Sequence, residues 1–342
     1  MNRKVIAIIG IIIVLGATIV AVGYPILFPA PYGRLIIATT TSTVDTGLLD
    51  HLKPYFDNKF HANMTWLYLG TGAAIAAAAR GDADILLVHD RVREDAFVAS
   101  GNGTHRVTIM YNNFTLIGPA NDPANIRGLT NATEAFKRMA AAGSANLTAF
   151  ISRGDKSGTN AAELRLWTKA GITQAQKAPT GSWYYSGGGG MAPTIRIAND
   201  GVLVGGVKKQ GYTLTDNSTF IALKAQMGAD LSLVLLSQGD IALVNPYGLI
   251  LLNSTRYPNI NSTLAEKFFL FMISDEGQNL IGDFAIGGTK IFIPLFGRPQ
   301  MIGLASEQSE VNYWKQQLAD NNMSPPSWVS SLIVSVIYPS EE

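Results

Sequence analysis

The sequence predicts a mixed α/β protein of two lobes, the second inserted into the first, behind an N-terminal apolar anchor. Three observations carry this reading. Short apolar runs alternate with helical periodicities from about residue 35 to 100, the pattern of a mainly parallel sheet covered by helices. Two long apolar-rich runs, 107–119 and 233–252, bracket an independent βα set, so the chain leaves the first lobe once and returns once. An uncharged apolar run from Val5 to Gly23 follows Arg3 and Lys4.

Residues 35–38 read as a strand, Thr39-Thr40-Thr41-Ser42-Thr43 as a hydroxyl-rich loop, and Asp45 opens a helical pattern through Leu48, Leu49, Leu52, Tyr55 and Phe56. The strand at 64–69 runs into Gly70-Thr71-Gly72 and an alanine-rich helix over 73–79. A strand at 85–88 leads to a helix around 94–99. In the second lobe a helix over 134–142, a strand over 147–151 and a helix over 161–170 follow one another. The loop Ser152-Arg153-Gly154-Asp155-Lys156-Ser157-Gly158-Thr159-Asn160 joins the last two. Residues 187–190 are four glycines, read as a flexible loop because neither strand nor helix is evident around them. After 252 come helices over 265–274 and 278–284 and a strand over 291–294. The expected division is therefore 1–33 anchor and linker, 34–112 with 246–310 first lobe, 113–245 second lobe, and 311–342 a C-terminal extension of unread role.

A helix rises ~1.5 Å per residue, so an apolar run of this length spans the bilayer core. The basic flank is expected to stay cytoplasmic, which puts the lobes on the extracellular side of the cell membrane. A cleaved signal peptide is the rival reading, but its apolar stretch is usually shorter and ends at small residues. Nine Asn-x-Ser/Thr triplets, at Asn63, Asn102, Asn113, Asn131, Asn146, Asn217, Asn253, Asn261 and Asn322, suit an exposed, glycosylated surface; Asn322 is the weakest, with Pro325 just beyond its triplet. The net charge of +1 gives no global field for nucleic acid. The lack of any cysteine removes disulfides, thiolate metal sites and thiol catalysis.

Three loops sit where α/β folds bind ligands, at strand ends before helices. Thr40, Thr41 and Ser42 supply hydroxyls. Thr71 lies between two glycines that allow close backbone approach. Arg153, Ser157, Gly158 and Thr159 supply a guanidinium, a hydroxyl pair and a helix N-terminus. Unpaired N–H groups, the positive end of the helix macrodipole and neutral hydroxyls suit a fully ionised tetrahedral oxyanion. Asp155 leaves protonated phosphate open, because such an ion needs an acceptor for its proton. No cofactor is expected. Enzyme readings lack a phosphate loop of the G-x-x-x-x-G-K-[ST] type and a G-x-S-x-G elbow, and the four histidines show no H-x-x-x-H spacing. His51 and His61 are expected on solvent faces; His89, at a strand end, could line the cleft. Ser157 with His89 is the nucleophile–base pair a phosphate- or sulfate-ester hydrolase would use.

These stretches resemble the tungstate-binding proteins that feed ABC importers, within the type II periplasmic-binding-protein fold. The matching residues are Ala38-Thr39-Thr40-Thr41-Ser42-Thr43, Gly70-Thr71-Gly72, the run from Arg80 to His89, Met110-Tyr111-Asn112-Asn113-Phe114, Ser152-Arg153-Gly154-Asp155 with Ser157-Gly158-Thr159, Tyr212-Thr213-Leu214-Thr215-Asp216 and Asn245-Pro246-Tyr247. The resemblance covers about residues 34 to 295. It implies tungstate held between the lobes by the three loops, with an ABC permease and its ATPase as partners. Molybdate, sulfate and phosphate remain alternative ligands. The chain departs from the family at Lys156, where an acidic residue is common, at Asn160, where His is common, and at Asn217-Ser218-Thr219, which replaces Arg-Gly-Thr. Residues 187–191 lack a Gln, and 202–210 look inserted.

Overall fold

The computed structural model describes residues 33–177, 183–303 and 307–330. The anchor expected over 5–23 lies outside them. Among the described residues no helix is long and apolar enough to cross a membrane.

In chain order the first strands are β1 (Gly33–Thr40), β2 (Ala62–Leu69), β3 (Ile85–Val88) and β4 (Gly103–Gly118). The second body contributes β5 (Ala149–Ser152), β6 (Tyr184–Ser186), β7 (Val202–Val204), β8 (Val207–Lys209), β9 (Gly211–Asp216) and β10 (Val234–Ser237), and β11 (Val244–Leu252) returns to the first. The main sheet runs β2-β1-β3-β11-β4-β9-β5-β6. β1 pairs in parallel with β2 and β3, as the βα alternation requires. β3 is buried along its whole length, and its sequence Ile-Leu-Leu-Val has the unbroken apolar character of a strand covered on both faces.

β4 and β11 are antiparallel partners in a register that runs from Val244 opposite Asn113 to Leu252 opposite Gly103. Beyond Asn113 the same β4 leaves β11 and pairs with β9 through Phe114–Asp216, Thr115–Thr215 and Leu116–Leu214. One long strand thus serves two cores. On one side Leu35, Ile37, Phe56, Phe268, Phe271 and Phe292 belong to the first core. On the other, Phe136, Phe150, Trp167, Trp183 and Tyr212 belong to a core of the second lobe.

Local sequence explains where the reading held and where it slipped. Thr41–Asp45 is already one helical turn and not loop; Gly47, at φ 81°, breaks it before the helix Leu48–Phe60 begins. The alanine-rich helix starts at Thr71, two residues earlier than its composition suggests. The glycine run is not a free loop. β6 precedes it and the helix Met191–Asp200 follows, and the N–H groups of Gly187 and Gly188 donate to the carbonyls of Ser152 and Arg153 at 2.6 and 2.8 Å. β6 is only three residues long, too short to carry a periodic signal. The segment 202–210 is a β7–β8 hairpin closed by Gly205-Gly206, both at positive φ as a two-residue primed turn demands.

The described part of the C-terminal segment packs into the first core. The helix Gln308–Asp320 buries Val311, Trp314 and Leu318, with the Trp314 ring centroid 4.3 Å from that of Phe269 and the planes tilted by 37°. Trp328 donates its indole N–H to the carbonyl of Phe296 at 2.9 Å. Of the sequon asparagines, Asn63, Asn131, Asn146 and Asn322 are exposed, and Asn102, Asn113, Asn217, Asn253 and Asn261 are half-buried. The amides of Asn102, Asn253 and Asn261 already donate to protein acceptors.

Replacing Trp314 with Ala is expected to cost about 3–5 kcal/mol, the range for a large buried aromatic. Urea unfolding monitored by circular dichroism measures it, and a midpoint equal to wild type would place the C-terminal helix outside the cooperative core.

Candidate functional site

The cleft between the lobes is built from helix starts. β1 ends at Thr40 and turns into Thr41–Asp45. β2 ends at Leu69, and after Gly70 the helix Thr71–Ala79 begins. From the second lobe come the helix Gly158–Lys169 after β5 and the helix Asn217–Met227 after β9. Each start leaves N–H groups without intrahelical partners and the positive end of a dipole.

Two of these starts touch across the lobes. The N–H of Gly158 donates to Thr71 Oγ1 at 3.1 Å, so the Thr71 hydroxyl keeps its own proton free to donate elsewhere. A Cβ on residue 158 would lie 2.7 Å from His89 Cε1 and 2.8 Å from its Nδ1; only glycine lets the two lobes come this close here. The site has then closed upon itself around Thr71, His89 and Gly158.

The Arg153 loop is held from within. Gly154 and Lys156 both sit in the left-handed region, at φ 60° and 59°. A side chain at 154 would also run into Ser186 Oγ, at 1.9 Å. Arg153 is 3% exposed and donates from Nε and Nη2 to Asp155 Oδ2 at 3.0 and 2.7 Å. Asp155 Oδ1 accepts the Ser157 N–H at 3.1 Å. Burial pushes the Asp155 carboxyl upward, but the Arg153 charge and the Ser157 hydrogen bonds outweigh it and hold the pKa below the usual carboxylate range. Ser157 Oγ caps the helix by accepting the Asn160 N–H at 3.1 Å. Behind the loop, buried Glu163 accepts from Ser152 Oγ at 2.5 Å, Tyr184 OH at 2.7 Å, Trp167 Nε1 at 2.9 Å and Asn160 Nδ2 at 3.4 Å. Four donors on two oxygens lock the base of the loop to the second core.

Under the cleft, where β4 and β11 cross between lobes, lies a buried polar chain. Asn245 Nδ2 donates to Asn112 Oδ1 at 2.7 Å, and Asn112 Nδ2 donates to Ser218 Oγ at 2.9 Å. The hydroxyls of Tyr247 and Ser42 meet at 3.0 Å, and those of Ser42 and Thr40 at 3.1 Å. Ser218 donates to Asp216, which also accepts the Thr219 N–H at 2.8 Å. Because the Asn245 amide nitrogen points at Asn112, its Oδ1 faces His89 at 2.9 Å, and His89 Nδ1 carries the proton it donates there. Burial drives the His89 pKa down to about 4, against the pull of Asp216, Asn245 and Asp90, so the imidazole is neutral near pH 7.

Of the residues singled out in the sequence, Thr40, Ser42, Thr71, Arg153, Ser157, Gly158 and Thr159 are all buried, and Thr41 is half-buried. Thr71 and Gly158 are brought into direct contact. Thr40 and Ser42 join the crossing network. Thr41 and Arg153 line one cleft of about 600 Å³ with Asp45, Tyr68, Lys156 and the Gly189–Gly190 turn. Ser157 and His89 do not form a nucleophile–base pair; Ser157 is an N-cap and His89 serves Asn245. His51 is not on a solvent face: its half-buried ring stands 5.8 Å from Tyr55 and 5.2 Å from Phe284. Sequence reasoning passed over Asn112, Asn245, Tyr247, Asp216 and Ser218 as site residues. Asn112 and Tyr247 lie inside long strands, Asn245 and Asp216 near strand ends and Ser218 in a helix start, and the bonds that join β4 to β11 and to the second lobe span more than 100 residues.

Residues 28–276 match the PBP superfamily domain. The tungstate-binding protein TupA of Peptoclostridium acidaminophilum is 40% identical over 266 residues, 77% of this chain and 85% of that protein. Among solved structures, the tungstate-binding protein TupA of Desulfovibrio alaskensis G20 aligns with a TM-score of 0.64 at 40% identity, over 77% of this chain and 98% of that one. The tungstate ABC transporter structure from Geobacter sulfurreducens aligns with a TM-score of 0.63 at 42% identity, over 73% and 98%.

His89 makes stability fall with acid. Between pH 6.5 and about 4 the unfolded histidine takes up a proton that the folded one refuses, so the loss begins near 6.5 and is complete near 4. The expected size is roughly 3 kcal/mol at full burial. Urea titrations at pH 7.5 and pH 4.5 are expected to show a smaller acid loss for His89→Gln than for wild type; equal losses would mean that His89 titrates normally.

Proposed function

This chain belongs to the PBP superfamily and, within it, to the tungstate-binding proteins of ABC transporters; from that premise we propose that it captures tungstate in the interlobe cleft and delivers it to an ABC permease with its ATPase. The observation that carries this reading is the docking of two helix N-termini from opposite lobes, Thr71 on Gly158, beside a buried arginine. Such a site offers N–H and O–H donors on several sides of a small anion and one fixed positive charge.

Asp155 bears on which anion. Both its oxygens are already committed, one to Arg153 and one to the Ser157 N–H. Asp216 is likewise committed to Ser218 and Thr219. Asp45, which lines the same cleft, accepts only the Tyr68 hydroxyl among the described residues, so a carboxylate able to take the proton of phosphate is present and phosphate stays a competing ligand. The N–H and hydroxyl donors and the Arg153 charge suit a fully deprotonated tetrahedral oxyanion. Molybdate shares charge and shape with tungstate and stays a competing ligand too. A hydrolase reading lacks support, because Ser157 and His89 each serve a different partner.

We place the protein at the cell membrane, tethered through residues 5–23 with its lobes on the extracellular side. Arg3-Lys4 before the apolar run supports that orientation. β4 and β11 are the connections about which the lobes close, with the hinge at the Asn112–Asn245 pair.

Calorimetric titration with tungstate, then with molybdate, sulfate and phosphate as competitors, tests the assignment. One-to-one binding that sulfate and phosphate fail to displace is the expected outcome. Arg153→Ala is expected to weaken tungstate binding at least tenfold, since a charge-assisted hydrogen bond contributes ~1.5–3 kcal/mol. An unchanged affinity would remove Arg153 from the ligand shell.

A further inference from the structure

One contact between the lobes involves none of the residues assigned to the anion. Arg93, in the first turn of the helix Arg91–Ala99, donates from Nη1 to the backbone carbonyl of Lys156 at 2.6 Å. Its Nε lies 3.4 Å from Asp90 Oδ2, which aims the guanidinium at the second lobe. The contact sits directly over the Thr71–Gly158 junction: a Cβ on Gly72 would be 3.3 Å from Arg93 Nη1 and 3.6 Å from the Lys156 carbonyl.

Both ends of this contact are built to transmit position. On the first lobe the helix carrying Arg93 is fixed from beneath. Buried Glu94 pairs with Arg106 at 2.7 Å, Glu307 pairs with both Arg106 and Arg91, and the Thr108 N–H donates to Glu307 at 3.0 Å. Glu307 lies beyond the residues matched to the PBP superfamily domain, so this chain's own C-terminal segment completes the base. On the second lobe the gripped carbonyl belongs to a lysine in the left-handed region, a conformation that non-glycine residues hold only when their surroundings impose it. Lys156 stands between Asp155, which orients Arg153, and Ser157, which caps the helix. Its own N–H donates to Asn160 Oδ1 at 3.2 Å.

We propose that Arg93 is a positioning residue for the oxyanion site, a latch that grips the Lys156 carbonyl when the lobes close, holds the Arg153 loop in its binding shape and slows escape of the ligand. The proposal rests on the capture reading above for the identity of the ligand, but not for the latch itself. A ligand leaves only through the opened cleft, so a contact made in the closed form acts on the off-rate. One charge-assisted contact to a neutral acceptor at a partly exposed site corresponds to about a fivefold change.

The test uses Arg93→Met, which keeps the apolar stem and removes every donor, and Arg93→Lys, which restores a cationic donor. Stopped-flow dissociation of tungstate is expected to be about fivefold faster for Arg93→Met and partly rescued in Arg93→Lys. In parallel, the absence of native cysteine lets two labels be placed uniquely, at exposed Asp50 in the first lobe and exposed Lys137 in the second. Interlobe distances by electron–electron resonance in the ligand-free protein are expected to broaden toward open forms in Arg93→Met. If Arg93→Met does not fold, Arg93→Gln takes its place with the same expectation. Wild-type protein that fails to bind tungstate would refute the ligand assignment alone. Wild-type distances and off-rates retained in the folded Arg93→Met variant would overturn the latch.

Discussion

Everything at the cleft depends on one constraint: the polar groups where β4 and β11 pass between the lobes are buried and must satisfy each other without help from bulk water. Asn112 and Asn245 face each other in the strand register and bond through their amides. That pair orients His89 on one side and Ser218 on the other, and shares Tyr247 with both. An unpaired amide there would cost about as much as a lost core contact, so the pair stays bonded where the strands cross between the lobes. The helix start at Asn217 is tied to it through Ser218.

Anion recognition follows without a large positive field. The chain carries a net charge of +1, and the buried arginine of the cleft is already partnered by Asp155. His89 is neutral because burial outweighs its acidic neighbours. What remains for an anion is a set of oriented dipoles, hydroxyl protons and one guanidinium fixed in direction. Preorganised donors of this kind select by geometry, whereas a loose cluster of lysines selects by charge alone. The Glu163 cluster behind the loop supplies the rigidity, tying Ser152 and Asn160 to Trp167 and Tyr184 of the second core.

The C-terminal segment gives the first lobe a feature of its own. Glu307 completes a buried cluster with Glu94 and Arg106, with half-buried Arg91 at its edge, and Trp314 and Val329 extend the first core. Buried ion pairs of this sort add little net stability but leave few alternative arrangements, because breaking one strands a charge in the interior. The helix that faces the second lobe is therefore stiffly mounted, which is what a contact across a moving cleft requires.

The sequence by itself determined the α/β class and the position of loops at strand ends before helices. Those are local properties: β3 announces itself by four consecutive apolar residues, and the Arg153 loop by glycine, serine and threonine between a strand and a helix. The same reading lost Thr41–Asp45, because a single helical turn has no periodicity, and lost the role of the glycine run, because β6 is too short to read. Only the tertiary structure decided which polar residues cooperate. Asn112 with Asn245, Ser42 with Tyr247, Thr71 with Gly158 and Arg93 with Lys156 are separated by 133, 205, 87 and 63 residues. Hydrogen bonds of a side chain are fixed by position in space to within tenths of an ångström, and no pattern along the chain encodes a distance between lobes until the sheet has brought them together.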